Sequence, residues 1–219
     1  MTIEYLFIFD DPFSILLYIG EILPLLILSL FLIINWQKKR TSETQSKILG
    51  FAGIVILILI GIKFFLPGLI VSFLLTPEEL EIVKNYFIFL GIISPLPYLT
   101  LGVALLGAEI LYSEQRVFKL TYLSASGIIW LACYVLNTSI AFFMGVLYEY
   151  EFSFLLANIL WMFASALVLV ASVFFSIYAT QHDRKFLRWA SITYISLFMF
   201  SGFFAELYIR LDYIFTHIL

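Results

Sequence analysis

Six long apolar stretches account for most of this sequence and decide what it can fold into. A helix that crosses a bilayer needs about 20 mainly apolar residues, at a rise of about 1.5 Å each. The stretches that meet this length lie at approximately 12–35, 48–75, 86–112, 118–147, 153–179 and 188–212. Hydrophobic residues make up 63% of the chain and charged residues 12%, against roughly 45–50% and 25% in soluble domains. The sequence therefore predicts an all-α integral membrane protein, in which residues 1–219 form a single domain, a six-transmembrane-helix bundle.

The charged residues alternate between the two sides of this predicted bundle. Nine of the twelve Lys and Arg residues fall in the first, third and fifth connections. They are Lys38, Lys39, Arg40, Lys47, Arg116, Lys119, Arg184, Lys185 and Arg188. Because basic connections stay in the cytoplasm, we expect both termini to be extracytoplasmic. The segment before the first span is acidic, with Glu4 and Asp10, whereas a signal peptide begins with basic residues. We therefore expect a multi-pass protein of the cell membrane without a cleavable signal peptide.

The third predicted span contains two prolines, Pro95 and Pro97. Proline has no backbone N–H group, and its ring clashes with the preceding helical turn. Sharp kinks in helices are usually found at such residues. We therefore expect the third span to be kinked at Pro95 and Pro97.

Small and polar residues recur along the fifth predicted span at a spacing of seven residues. These residues are Ala157, Asn158, Ala164, Ser165, Ala171 and Ser172. A similar face on the fourth span consists of Ser126, Trp130, Cys133, Asn137 and Ala141. Helices in lipid associate through small residues and side-chain hydrogen bonds, so both patterns predict faces that pack against other helices. The alternative interpretation is a polar pathway along the axis of the bundle.

Four ionisable residues lie well within the predicted spans, namely Glu21, Lys63, Glu109 and Glu206, and Arg210 lies near the end of a span. Glu109 is close to the cytoplasmic end, where we expect its side chain to reach water. A charge in the middle of a bilayer costs about 3 kcal/mol, and such residues usually pair or line a cavity. Counting inward from the outer end places Glu21 at about 14 Å, Lys63 at about 20 Å and Glu206 at about 9 Å. We therefore predict that Lys63 pairs with Glu21, while Glu206 matches either Glu21 or Arg210 in depth. The resulting buried polar site has three interpretations: an ion pair that docks two helices, a transport or ligand site, or a contact with a partner subunit.

Residues that catalyse reactions or bind metals are scarce in the predicted spans. The two histidines, His182 and His217, lie in a connection and near the end of the sequence, so no span offers histidine ligands. The sequence has no H-E-x-x-H, G-x-S-x-G or glycine-rich phosphate motif. Its net charge of −3 is opposite in sign to that of a nucleic-acid-binding domain. We expect no metal, cofactor, nucleic-acid partner or enzymatic activity, although a carboxylate enzyme that uses Glu21 and Glu206 stays open.

Two parts of the sequence resemble known membrane protein families. The first resemblance is to the seven-helix sensor region that precedes some histidine kinases. It depends on the basic first connection, on the N-terminus predicted outside and on the stretch from Leu90 to Asn137. The stretch from Thr76 to Asn137 is similar to part of a multidrug or polysaccharide flippase half, with an acidic outer turn and a proline-containing span. The first resemblance implies ligand sensing and the second implies transport. Neither assigns a role to an individual residue.

Three functions are compatible with these features. Short connections, few catalytic groups and small-residue faces favour a structural or accessory subunit, which contacts other membrane chains or forms a homo-oligomer in the bilayer. The intramembrane charges and the interrupted third helix favour a small transporter or channel with a polar site at Glu21, Lys63 and Glu206. The predicted topology favours a ligand-sensing membrane module. The sequence favours the subunit interpretation, with transport as the first alternative.

Overall fold

The computed structural model describes residues 12–38, 44–74, 92–112, 120–146 and 151–218, and these residues are almost entirely helical. The single helices are α1 (Pro12–Lys38), α2 (Thr44–Leu74), α3 (Leu96–Tyr112), α4 (Tyr122–Val146) and α5 (Glu151–Gln181). A composite helix follows, made of α6 (Lys185–Leu197), a π-helical segment (Phe198–Phe203) and α7 (Phe204–Ile218). We call this composite helix the C-terminal rod.

Within the described ranges, five helices are long and apolar enough to cross a membrane: α1, α2, α4, α5 and the C-terminal rod. They begin and end close to the predicted spans, as in α5, which covers 151–181 where the sequence predicts 153–179. The five apolar helices indicate a membrane protein. Helix α3 is apolar but has only 17 residues, fewer than the roughly 20 that a span requires. Part of the span predicted for 86–112 lies outside the described residues, so the sixth crossing stays a prediction.

Helix α3 starts at a turn formed by Ser94 and Pro95. The backbone N–H of Tyr98 donates a hydrogen bond to the carbonyl of Pro95 at 2.9 Å, and Pro97 lies in the first turn of the helix. Proline is tolerated there because the first N–H groups of a helix have no partner within it. Residues 75–91 lie outside the described part of the chain, so the predicted kink within a longer third span stays a prediction.

The helices form a closed ring in the order of the sequence. Each of α1 to α5 packs against its neighbours in sequence, and the C-terminal rod packs against both α5 and α1. Near the beginning of α1, Gly20 lies against Gly202 of the rod. At the other end of α1, the ammonium group of Lys38 lies 4.1 Å from the ring centre of Phe186. The rod therefore runs antiparallel to α1.

The predicted faces of small and polar residues on α4 and α5 pack against each other. The hydroxyl of Ser126 donates to the carbonyl of Ala171 at 2.8 Å, and the sulfur of Cys133 lies 3.9 Å from the carbonyl oxygen of Ala164. A step of seven residues along α4 therefore matches a step of seven in the opposite direction along α5. Three further residues of the stripe on α5 are also buried, namely Ala157, Asn158 and Ser172. Most of this stripe is thus occupied by contacts within the chain.

Polar side chains cluster at both ends of the ring. At one end, Gln45 of α2 donates to the hydroxyl of Tyr178 at 2.7 Å and accepts a hydrogen bond from Arg184 at 3.3 Å. We call this the Arg184 end; it carries the end of α1, the start of α2 and the turn between α5 and α6. We call the other end the Arg210 end, and it carries Glu21, Lys63, Glu206 and Arg210. Two of the basic residues, Lys38 and Arg184, therefore lie on the same side of the ring.

The ring is apolar on its outside and partly polar on its inside. Large apolar side chains such as Phe51, Val135 and Phe200 point outward, with Phe200 80% exposed. The buried polar residues include Ser29, Asn35, Ser126, Asn158, Ser191 and Glu206. Acyl chains suit an apolar outer surface, whereas polar groups in a membrane must find partners inside the protein. This distribution agrees with the membrane character of the five long helices.

Candidate functional site

A cavity of about 120 Å³ lies inside the ring near the Arg210 end, and we call it the chamber. Its walls come from α1, α3, α4, α5 and the C-terminal rod. The lining residues are Glu21, Tyr98, Asn137, Trp161, Ala164, Ser165, Val168, Phe198, Gly202, Glu206 and Arg210. One buried water needs roughly 10–15 Å³ of accessible space. The chamber therefore has room for several waters or for one small molecule.

The first charged group of the chamber is Glu21 on α1. Its Oε2 atom accepts a hydrogen bond from the ammonium group of Lys63 on α2, and the two residues form an ion pair. The side chain of Glu21 is 40% exposed and that of Lys63 is 19% exposed. Lys63 is absent from the chamber lining among the described residues, whereas Glu21 is part of it. The ion pair therefore holds a carboxylate at the chamber wall with its cation outside that wall.

The second charged group is a network around Arg210 of α7. The Nε atom of Arg210 donates to Oε1 of Glu206 at 2.9 Å, and its Nη1 atom donates to Oδ1 of Asn158 at 3.0 Å. The guanidinium group also lies 4.0 Å from the ring centre of Trp161 on α5, a geometry that favours cation–π attraction. Glu206 is only 7% exposed. These contacts join α7 to α5 and hold a buried ion pair in a fixed orientation.

The π-helical segment keeps one row of side chains on the inner face of the rod. Tyr194, Phe198, Gly202, Glu206 and Arg210 are spaced by four residues, and the last four of them line the chamber. In an α-helix, each step of four residues passes a full turn by about 40°, so this row would drift by about 160°. A π-helix has more residues per turn. The π-helical segment therefore reduces the rotation of this row around the helix axis and directs Glu206 and Arg210 toward the chamber.

The sequence Ser201-Gly202 gives a local reason for the π-helical segment. The hydroxyl of Ser201 donates to the carbonyl of Leu197 at 2.6 Å, and the N–H of Phe204 donates to Met199, five residues back. A serine hydroxyl that bonds to the preceding turn competes with the α-helical ladder, and kinks and bulges often occur at Gly/Ser pairs. The local sequence therefore favours a change of helical pitch at this point of the rod.

Glycine allows α1 to approach the rod beside the chamber. A Cβ atom built on Gly20 would overlap the backbone of Ser201 and Gly202, and one built on Gly202 would lie 2.8 Å from the ring of Phe198. Any side chain at Gly20 would therefore push the two helices apart. Because Glu21 follows Gly20 directly, this close contact also sets the position of Glu21 relative to Glu206.

Four aromatic rings close the chamber toward the Arg184 end, and we call them the aromatic floor. Tyr98 stacks on Trp130 with ring centres 5.3 Å apart, Trp130 meets Tyr194 edge-on at 5.8 Å, and Tyr194 stacks on Phe198 at 5.9 Å. Below the floor lies a void of only about 10 Å³, which is too small for more than about one water. In this structure the chamber is therefore closed on the side of the Arg184 end.

The structure brings the four candidate residues of the predicted polar site to one end of the ring. Three of them line the chamber, namely Glu21, Glu206 and Arg210. Lys63 is outside the chamber lining and donates a hydrogen bond to Glu21. Of the predicted stripe on α5, Ala164 and Ser165 line the chamber and Asn158 bonds to Arg210. Ala157, Ala171 and Ser172 are buried elsewhere along α5. The participation of these residues in a functional site stays a prediction.

Sequence reasoning missed three aromatic residues of the chamber, namely Tyr98, Trp161 and Phe198. Aromatic residues are spread through all the spans, and most of them face lipid or fill gaps between helices. The spacing of four residues from Tyr194 to Glu206 is one signal that points to Phe198. No comparable pattern in the sequence points to Tyr98 or Trp161.

Comparisons with protein-family models, with curated proteins and with solved structures give no match for this chain. Among the described residues, no group of three or more His, Cys, Asp or Glu side chains is placed to hold a metal ion.

Proposed function

We propose that this chain is a multi-pass protein of the cell membrane that binds a small polar solute in the chamber and moves it across the bilayer. The observation that carries this proposal is a cavity of about 120 Å³ with Glu21, Glu206 and Arg210 in its wall. Ionisable residues inside a membrane usually mark pathways for ions or substrates. The six crossings with extracytoplasmic termini, predicted from the basic connections, make the Arg210 end the outer end of the protein.

The arrangement of the charges favours a binding role over a purely structural one. An ion pair that only docks helices is best packed on all sides, because contacts between side chains stabilise helices in lipid. Here the chamber leaves unfilled space against both carboxylates, Glu21 and Glu206. The π-helical segment beside it supports the same interpretation, because such segments are frequent at functional sites.

The closed floor and the exposed side chain of Glu21 indicate which side of the chamber is accessible. The aromatic floor and the leucines below it separate the chamber from the Arg184 end, whereas the Glu21 side chain is 40% exposed. This form of the protein would bind solute from the outside. Transport then requires the floor to open in a second conformation, as alternating access demands.

The alternatives are a structural or accessory subunit and a ligand-sensing module. The small-residue stripe that favours a subunit is largely occupied by α4 within the chain. A partner chain or a second copy would therefore bind another face of the ring. A subunit has no use for the chamber as a solute site, whereas a sensing module would bind a ligand there without moving it across the bilayer. Access to the chamber therefore separates a subunit role from the two solute-binding roles.

The experiment measures whether water-soluble reagents reach the chamber. Cys133 is buried, and its replacement by serine gives a cysteine-free chain into which Ser165→Cys is introduced as a chamber probe. Phe163→Cys is the matched control, because Phe163 lies on the same helix at a similar depth and faces outward. Sealed proteoliposomes are treated with Ag⁺ in nitrate buffer, and the remaining thiols are then counted with a maleimide after denaturation.

We expect Ag⁺ to block S165C and to leave F163C free, because only a thiol in contact with water ionises to the reactive thiolate. We also expect Ag⁺ to act from the outside of vesicles in which the Arg210 end faces outward. Equal protection of both cysteines from Ag⁺ would contradict a solute chamber and would favour the subunit interpretation.

A further inference from the structure

The charges around the chamber restrict the solute that it can accept, and this inference rests on the proposed function. Glu21 pairs with Lys63, and Glu206 pairs with Arg210, so each acidic group has one basic partner. These four groups therefore sum to zero. A solute with a net charge would leave an unbalanced charge inside the membrane, at a cost of about 3 kcal/mol on insertion scales. A solute with no net charge avoids this cost.

Two residues of the chamber lining, Glu21 and Arg210, have further hydrogen-bonding capacity of opposite polarity. Within the described part of the chain, Glu21 uses Oε2 for Lys63, and its Oε1 atom has no donor. Arg210 uses Nε and Nη1 for Glu206 and Asn158, and its Nη2 atom has no acceptor among the described side chains. The chamber thus offers an acceptor on a carboxylate and a donor on a guanidinium group. An ammonium group suits the first, and a carboxylate suits the second.

The volume of the chamber sets the size of the solute. An engineered protein cavity of about 150 Å³ accommodates benzene, which has six non-hydrogen atoms. The chamber, at about 120 Å³, is somewhat smaller. It therefore fits a molecule of about five non-hydrogen atoms, and a solute with a large side chain exceeds this space.

We propose that the chamber binds a small zwitterion of about the size of glycine, with its ammonium group on Glu21 and its carboxylate on Arg210. Such a molecule has both charges and no net charge, and it satisfies the free oxygen of Glu21 and the free nitrogen of Arg210 together. The ion pair from Lys63 and the network around Glu206 hold the two anchoring groups in place. The aromatic floor supports the solute from the side of the Arg184 end.

Binding is measured with radiolabelled glycine on the purified full chain in lipid nanodiscs. Unlabelled acetate, methylammonium and acetamide serve as competitors, because they present one charge or none at a similar size. We expect each competitor to bind at least about tenfold more weakly than glycine. Acetate and methylammonium each leave one polar group of the site without a partner, and acetamide makes its hydrogen bonds without a charge of its own. Leucine, which is also a zwitterion but larger, is expected to compete poorly for the same space.

The variant Glu21→Gln tests the ammonium site. We expect it to weaken glycine binding at least about tenfold. Acetate should bind at least as well as to the unmodified chain, because acetate contacts only the Arg210 side and the variant has lost one negative charge. Asp212→Asn is the control, because Asp212 is exposed on α7 and does not line the chamber. Circular dichroism and size-exclusion chromatography check the fold of both variants. If Glu21→Gln does not fold, the competitor series on the unmodified chain still tests whether the chamber prefers a zwitterion.

The results separate the zwitterion inference from the proposed function. Glycine that binds no better than acetate or methylammonium, or that does not bind, overturns the zwitterion assignment. If Ser165→Cys still reacts with Ag⁺ in that case, the proposed solute chamber stands with a different ligand. If Ser165→Cys does not react, both proposals fail.

Discussion

Arg210 offers the sharpest test of how the chamber is held together, because one side chain makes three contacts. It donates to Glu206 at 2.9 Å and to Asn158 at 3.0 Å, and it lies over the ring of Trp161 at 4.0 Å. The perturbation is Arg210→Met, which keeps much of the length and apolar character of the side chain but removes the charge and the donors. Glu206, which is 7% exposed, then loses the cation that accompanies it.

The expected magnitude follows from these contacts. Removing one partner of a buried ion pair costs about 3–5 kcal/mol, a polar contact between membrane helices is worth about 0.6 kcal/mol on average, and a cation–π contact about 0.5–2 kcal/mol. These contributions sum to about 4–8 kcal/mol. Because the Arg210 side chain is 19% exposed, we expect Arg210→Met to lower the free energy of unfolding by about 4 kcal/mol, at the lower end of this range. Glu206→Gln should cost only about 1 kcal/mol, because its amide oxygen can still accept from Arg210, which also keeps its contacts with Asn158 and Trp161. In the double variant Arg210→Met/Glu206→Gln, position 206 carries no carboxylate that would lack a cationic partner. We therefore expect the free energy of unfolding to fall by about 3 kcal/mol in total.

The assay is unfolding in mixed micelles at increasing fractions of sodium dodecyl sulfate, followed by circular dichroism. The four chains of the cycle are the unmodified protein, the two single variants and the double variant. The expected losses give a coupling of about 2 kcal/mol, within the range found for residues in contact. Phe215→Leu on the same helix is the control, because this exposed side chain should change stability by less than about 0.5 kcal/mol. Additive effects of the two substitutions would refute the buried pair as a stabilising unit.

Two packing predictions use the same unfolding assay. Gly20→Ala should cost at least about 2 kcal/mol, because its Cβ overlaps the rod at Gly202. Gly61→Ala should be neutral or stabilising by up to about 1 kcal/mol, since no described atom lies within 4 Å of its Cβ. Equal effects of Gly20→Ala and Gly61→Ala would contradict the close approach of α1 and the rod. Ala171→Leu should cost about 1–3 kcal/mol, because Ala171 is fully buried against α4. The outward-facing control Val170→Leu should stay within about 0.5 kcal/mol, and a similar loss in both would argue against the pairing of α4 with α5.

Hydropathy and helical spacing predict the positions of the helices because both depend on local sequence. The predicted start of α1 at residue 12 agrees with the structure, and α5 differs from its predicted span by two residues at each end. Depth along the helices also indicates that Lys63 and Glu21 can meet, since counting residues at a fixed rise needs no knowledge of the neighbouring helices.

The closed ring and the chamber depend on information that local patterns lack. The contact of α1 with the C-terminal rod requires Gly20 and Gly202 to meet across about 180 residues of sequence, and a single glycine in a span has no distinctive pattern. The π-helical segment changes which face of the rod points inward, so the positions of Glu206 and Arg210 do not follow from a regular period of 3.6 residues. Trp161 resembles any lipid-facing aromatic residue until its contact with Arg210 is known.

The chamber itself is the feature that packing alone does not explain. Ala164, Ser165 and Gly202 are small residues that leave space in its wall, and a larger residue at one of these positions would fill it. Core cavities cost about 24 cal/mol per Å³ when left empty, so 120 Å³ corresponds to about 3 kcal/mol. Glu21 and Arg210 reduce that cost only if water or a solute occupies the space and completes their hydrogen bonds. A protein selected for stability alone would have closed this cavity, whereas one that binds a small polar molecule has to keep it open.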